Sequence, residues 1–445
     1  MTIELQMSNH PAGGSRPFEL GPRTSFWVSA GVVAHTLWTS AAPAMTYRLY
    51  AEQWQLTHTV TTGIFAVYPI FVVTILIAFG DLSDHFGRRA TMLLGLGASL
   101  LGVLLFAIAP SVSWLFAGRA LMGIGVGLSA GASTAAMVEF SSEGQGKRAA
   151  SVMAAAQAFG FAAALLVGGA LTQYAPWPLH LSFWVLFVLI ALLFAAAWHL
   201  PRHAGEPGAC KWRLKAPSIP CALRPAFAVA ALAVTTAYTH GVLILSLGAQ
   251  VARDLVGSPN ALVNGVALAL FAVTSGVFGI VARRLNPGLA MTLGAIASAA
   301  GMALLALSTA WHGLWIFLAA TTMTGIGYAL LFLGGLTLIN DLTHAQHRGG
   351  VLSTLYLFGY LSLGVVALGL GVVATHEGLD LAVDLGAGAI ALLSLATIAL
   401  LLMQRKAAFW VSLHSTEPAL PTRSENAGPD LRPGSISILN KGNQL

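Results

Sequence analysis

Apolar runs close to 20 residues long recur from residue 25 to about residue 403, and no other feature constrains the chain as much. A helix rises about 1.5 Å per residue, so about 20 residues cross a hydrocarbon core of about 30 Å. Twelve runs can be placed, at 25–47, 58–79, 90–109, 114–139, 149–173, 180–200, 225–250, 260–282, 288–309, 312–339, 350–374 and 379–403. Charged residues make up only 9% of the 445 positions, against about 25% in soluble domains, which argues against a water-soluble globule. The expected fold is an all-α polytopic membrane protein with twelve transmembrane helices.

The polar segments set the organisation. Residues 1–24 form a polar lead, and 201–224 form the one long interior linker, with Pro201, Pro207, Pro217 and Pro220. Residues 404–445 are rich in Ser, Pro, Asn and Gly and read as a disordered tail. If both termini are cytoplasmic, 19 of the 22 Lys and Arg face the cytoplasm, all except Arg48, Arg253 and the intramembrane Arg119. The positive-inside rule therefore gives a multi-pass protein of the cytoplasmic membrane in that orientation, and the net charge of +6 speaks for topology and not for nucleic acid. Ala42-Pro43-Ala44 imitates a signal-peptide cleavage site, but the repeat described next needs this first helix to be retained. The two cysteines, Cys210 and Cys221, define neither a disulfide framework nor a metal site.

The chain repeats itself about 200 residues apart. Gly80 and Gly95 return as Gly279 and Gly294, and Gly123-Ile124-Gly125 returns as Gly325-Ile326-Gly327. Glu139 is matched by Asp341, Arg148 by Arg348, and Phe159-Gly160 by Phe358-Gly359. Two six-helix halves, 25–200 and 225–403, are expected to be related by this repeat.

Between the second and third runs stands Gly80-Asp81-Leu82-Ser83-Asp84-His85-Phe86-Gly87-Arg88-Arg89. Its spacing, Gly-x-Leu-x-Asp-x-x-Gly-Arg-Arg, resembles the loop signature between helices 2 and 3 of the major facilitator superfamily of transporters. The resemblance covers residues 25–403 and implies two pseudo-symmetric six-helix bundles, with substrate handled between them. It also implies that charged networks latch the cytoplasmic ends when the transporter faces outward. The gating candidates are Gly80, Asp84, Gly87, Arg88, Arg89, Glu139 and Arg148, with Arg283, Arg284, Asp341 and Arg348 as the second-half set. Gly80 and Gly87 permit helix ends, Asp84 can accept from exposed helical N–H groups, and Arg88 and Arg89 can reach Glu139. In the second half Arg283 stands where Asp84 would, and His85 stands where the family usually has a basic residue.

Inside the spans polar residues are few. Arg119 lies about five residues into the fourth run and is followed by Gly123, Gly127 and Gly131 at helical steps. A charge there is costly and tends to face a cavity or a partner. Arg119-x-x-x-Gly123 resembles the helix 4 motif of proton-linked superfamily members, which ties the arginine to coupling or substrate binding. His35 and Trp38 share a face of the first run, Tyr238 and His240 lie on the seventh, and Gln157 on the fifth; together with Arg119 they are the substrate or coupling candidates. Tyr328, Tyr356 and Tyr360 are weaker ones. No Asp or Glu sits in the middle of a run, so any proton coupling falls to His35, His240 or a terminal carboxylate. The drug–antiporter signature of helix 5 is degraded, since Gly160, Gly168 and Gly169 remain while Ala164 and Leu165 replace its central Gly-Pro.

The expected function is secondary transport by alternating access, with export of a small amphipathic compound preferred because polar anchors are scarce. Uptake of a polar or anionic metabolite is the alternative. A membrane-embedded enzyme is disfavoured, since no paired carboxylates, histidine cluster or Ser–Lys pair stands at ligand spacing, and a receptor with an appended signalling module is disfavoured by the short polar tail at 404–445. The expected partners are a small-molecule substrate, protons and membrane lipid, for a monomer with no cofactor, no metal and no nucleic acid.

Overall fold

A computed structural model describes residues 19–79, 86–141, 146–201, 219–343 and 345–414, with backbone alone at 146, 147, 222, 345–349 and 405–414. Gly80, Asp84 and His85, most of the linker (202–218) and the lead through residue 18 lie outside the described residues, as does the Arg348 side chain. The chain divides into two compact units, Met1–Leu402 and Met403–Leu445; the second is helical as far as it is described.

The described residues form twelve long helices and no strand. In chain order they are α1 (Pro22–Ala41), α2 (His58–Phe79), α3 (Arg88–Ala107), α4 (Val112–Glu139), α5 (Gly146–Tyr174) and α6 (Leu181–Trp198). The second set is α7 (Arg224–Gly241), α8 (Ala261–Ala282), α9 (Pro287–Ala310), α10 (Leu314–Leu342), α11 (Ala345–His376) and α12 (Leu379–His414). Local chemistry sets several starts. Pro22 and Pro287 occupy first-turn positions where a missing N–H costs nothing, and Asn260 and Asn286 accept from the first free N–H groups of α8 and α9. Gly87 takes φ of 86°, the left-handed region open to glycine, as the chain turns into α3.

Eleven of these helices are long and apolar enough to span a membrane. The exception is α1, which is long enough but carries buried Ser25, Ser29, His35, Thr36 and Thr39 on the face it turns inward. Its run does not continue unbroken to residue 47. Pro43 converts Ala42–Met45 to a tighter 3₁₀ turn, and a separate short helix, Tyr47–Trp54, follows. The seventh run is broken as well: wide π turns at Val242–Ser246 and Val251–Leu255 replace α-helix. At the far end α12 runs past the expected limit of 403 to His414, because Ala407-Ala408-Phe409-Trp410 supplies further helix-compatible sequence beyond the charges at 405 and 406.

The repeat is visible in packing. In the first half α3 lies on α4, α4 on α2, and α5 on α1; α9 on α10, α10 on α8, and α11 on α7 are the counterparts. Small residues allow the close approaches. A Cβ on Gly102 would lie 2.7 Å from the Gly118 carbonyl oxygen, and one on Gly125 would lie 2.5 Å from that of Gly95. The matching α9–α10 contact puts a Cβ on Gly327 at 3.0 Å from the Gly294 carbonyl oxygen. Helices surrounded by lipid gain little from burying apolar surface against each other, so backbone proximity of this kind supplies much of their cohesion. The halves meet along α2–α11 and α5–α8.

Candidate functional site

The helix order sorts the described arginines by end. Arg23, Arg88, Arg89, Arg148, Arg224, Arg283 and Arg284 fall at one end of the bundle, the basic end, and Arg48 and Arg253 at the other. At the basic end Arg88 Nε lies 3.7 Å from Glu139 Oε2, tying the start of α3 to the last residue of α4. Arg89 Nη1 donates to the Leu200 carbonyl at 3.1 Å, with its guanidinium over the Trp198 ring at 5.7 Å. These contacts hold the first half together. Arg283 instead crosses between halves, with Nη2 donating to the Ala150 carbonyl on α5 at 2.7 Å. Arg148, Arg284 and Asp341 are exposed.

In the interior, Arg119 is fully buried. The helix that carries it begins at Val112, so Arg119 lies about half a turn deeper than the expected start at 114 implied. Nη1 donates to carbonyls of Ser40 at 3.3 Å and Thr39 at 3.5 Å, both on α1. The guanidinium lies 4.4 Å from the Tyr68 ring centre and 5.8 Å from that of Phe65, both on α2. Nε and Nη2 have no hydrogen-bond partner. Gly123 sets this geometry: a Cβ there would lie 2.7 Å from the Tyr68 carbonyl oxygen, so its absence lets α2 come beneath the arginine. Gly127 meets Ile75 in the same groove, whereas Gly131 faces nothing within 4 Å and takes no part in it.

The two histidines do not come together through their hydrogen bonds. His35 Nδ1 donates to the Val32 carbonyl at 2.6 Å, and Nε2 accepts from the Ser99 hydroxyl of α3 at 3.3 Å, so the ring faces the interior of its own half. His240 Nδ1 donates to the Thr236 carbonyl at 2.8 Å, while its Nε2 is buried without a partner just before the first π turn. Trp38 is half-buried on α1, whereas Gln157 is exposed on α5.

Tyr238 belongs to an aromatic group larger than the sequence suggested. It meets Tyr360 edge-on at 4.9 Å and Phe332 at 5.9 Å; Phe332 stacks on Tyr328, and Tyr328 adjoins Phe271 at 5.3 Å. Phe271 in turn touches Phe161 of α5 at 5.7 Å, which carries the group across to the first half.

At the end opposite the basic one the halves are fastened by residues that periodicity gave no reason to single out. Arg48 pairs with Glu52 at 2.6 Å and, across the halves, with Asp254 at 3.4 Å. His58 Nδ1 donates to Gln250 Oε1 at 3.0 Å, the Thr59 amide donates to Thr375 Oγ1 at 2.9 Å, and Ala261 N–H donates to Gln173 Oε1 at 2.7 Å. The glycines left from the degraded fifth-helix signature serve packing. Gly160 receives the Ala34 carbonyl of α1, Gly168 lies against Met45, and Gly169 lies against Ala261 of α8. Among the described residues no three His, Cys, Asp or Glu side chains are grouped to hold a metal ion.

Twelve long helices, eleven of them apolar enough to cross a membrane, pack in two like-arranged halves, which is the architecture of a polytopic membrane protein of two six-helix bundles. The sequence profile of the Major Facilitator Superfamily matches residues 27–287, and the chain belongs to that family. It is 30% identical over 160 residues to the multidrug efflux pump LfrA of Mycolicibacterium smegmatis, across 35% of this chain and 32% of that one. With the puromycin resistance protein pur8 of Streptomyces alboniger it shares 31% identity over 162 residues, across 35% and 29% of the two chains. The matched stretch thus spans about a third of these relatives. Among solved structures, the nucleoside transporter NupG aligns with TM-score 0.70 at 13% identity, over 85% of this chain and 99% of that one. The POT-family transporter PepTSo aligns with TM-score 0.69 at 14% identity, over 89% and 99%. At such identities these two likenesses establish the fold alone.

Proposed function

We propose that this transporter exports a small amphipathic compound across the cytoplasmic membrane by alternating access, with both termini and the basic end in the cytoplasm. One observation carries the reading. Aromatic side chains of both halves meet at their boundary, and among the described residues Arg119, beside Tyr68 of α2, is the one buried formal charge, which suits an apolar or amphipathic cargo better than a heavily hydrated one. The efflux and resistance roles named for the two relatives support export. The positive-inside distribution supports the orientation. Gating at the basic end falls to Arg88, Glu139 and Arg283 with their neighbours, and at the other end to Arg48, Asp254 and His58. Coupling to protons completes the proposal, with His240 and its unpartnered Nε2 as the first candidate.

Cells expressing the protein should accumulate less of an exported fluorescent amphiphile than cells carrying an inactive variant. Higher accumulation would instead favour the second reading, uptake of a polar or anionic metabolite anchored by Arg119. If collapse of the pH gradient leaves transport in vesicles unchanged, proton coupling is wrong.

A further inference from the structure

The nitrogens of Arg119 are unequally served. Nη1 is taken up by the Thr39 and Ser40 carbonyls, while Nε and Nη2 are buried without a hydrogen-bond partner, and the buried Tyr47 hydroxyl, likewise unpartnered, stands near the guanidinium. Nε and Nη2 share one edge of the planar guanidinium, the edge along which both oxygens of a carboxylate can be bound in parallel. No described Asp or Glu lies within ion-pair distance of Arg119, and the described carboxylates stand near helix ends. An apolar interior thus holds a positive charge with a bidentate face and nothing of opposite sign beside it.

Tyr68 lies under the same guanidinium at 4.4 Å. Across the boundary between halves α2 packs on α11, which carries Tyr360, and Tyr360 meets Tyr238 edge-on at 4.9 Å. Gly364, one turn on from Tyr360, faces Ala66 and Ile70, the residues that flank Tyr68 on α2. Charge and rings therefore sit side by side, one part on each half.

We infer that Arg119, Tyr68, Tyr360 and Tyr238 form one binding site for an aromatic carboxylate. Its carboxylate lies on the Nε–Nη2 edge and its ring system lies along the tyrosines. The inference rests on the export reading and gives the exported amphiphile a charge and a shape. A lipophilic cation would find the same aromatic faces, but beside an unpaired guanidinium and with no carboxylate to meet it, so the site selects against it. Arg119 is closed off from solvent in this arrangement, and the ligand enters when α2 and α11 part, a movement that alternating access supplies.

The test uses the purified full chain and three probes that share one ring system: 2-naphthylacetate, its neutral amide, and (2-naphthylmethyl)trimethylammonium. Thermal unfolding is followed with each. The acid should raise the midpoint, and the amide and the cation should raise it much less. Arg119→Gln should abolish the preference for the acid over the amide. Arg119→Lys keeps the charge but loses the bidentate edge, and should weaken acid binding about tenfold. Tyr360→Leu should weaken acid and amide alike. Equal responses to acid and cation, no response to the acid, or an acid preference that survives in Arg119→Gln would each overturn the inference. If Arg119→Gln does not fold, the three-probe comparison on the unaltered chain and the Arg119→Lys titration decide the matter. Export is checked separately in cells: net accumulation of the acid would overturn the direction of transport and leave the binding site standing.

Discussion

Gly123 governs the distance between α2 and α4, since a Cβ there would lie 2.7 Å from the Tyr68 carbonyl oxygen and 2.9 Å from Phe71 Cβ. Backbone cannot yield as a flexible side chain can, so Gly123→Ala should push the helices apart and cost about 1–3 kcal/mol. Gly131 belongs to the same glycine series but faces nothing within 4 Å, and alanine there should be neutral or stabilise by up to about 1 kcal/mol through its helix propensity. Thermal unfolding in detergent would separate the two, and equal behaviour would mean that the groove does not position Tyr68. The pair also shows what could be read in advance. Arg119 stood out because a lone charge inside an apolar run is conspicuous by itself. Tyr68 did not, because a tyrosine in such a run resembles ordinary packing, and only the rotation of α2 beneath α4 reveals its place. The same limit applied to His35. Its position predicted a buried polar group, but whether it faced the central space or Ser99 depended on how α1 and α3 pack.

The helices differ in how much local sequence decides. Most spans lie within a few residues of where apolar length put them, because the length needed to cross a bilayer is encoded locally. The π turns after α7 were not legible, since 225–250 reads as one continuous run and the distortion arises where helices meet. The contacts between halves were equally silent, for they join residues such as Thr59 and Thr375 that no periodicity links. The Arg48–Asp254 pair at 3.4 Å is the charged member of that set. Its side chains keep 20% and 42% of their exposure, so solvent screening limits its worth to about 1 kcal/mol at most. Asp254→Asn should therefore favour opening of that end by up to about fivefold. The measure is the alkylation rate of a cysteine at Ala249, which lines a cavity of about 40 Å³ beside the pair, in a background lacking Cys210 and Cys221. An unchanged rate would show that Thr59, Thr375 and Gln173 hold the end closed without the ion pair.

For the molecule as a whole, the internal repeat was visible as recurring glycines, and its physical meaning is the matched α3–α4 and α9–α10 contacts. Orientation is a different kind of property. It follows from where basic residues stand relative to the bilayer, and helix packing carries no information about it. The chain offers its own probe. Cys221 is exposed at the basic end, just before α7, and Cys210→Ser would leave it as the sole thiol. A membrane-impermeant maleimide should leave Cys221 unlabelled in intact cells and label it after permeabilisation. A cysteine substituted for Trp311, 70% exposed in the turn between α9 and α10 at the opposite end, should label in intact cells, in a variant lacking both native thiols. The two sites must respond oppositely, because α7, α8 and α9 together cross the bundle an odd number of times between them. Labelling of Cys221 from outside would place the basic end outward and defeat the positive-inside argument. It would also turn the end fastened by Arg48 and Asp254 toward the cytoplasm, so the proposed gates would exchange sides and the assignment of export would have to be made afresh.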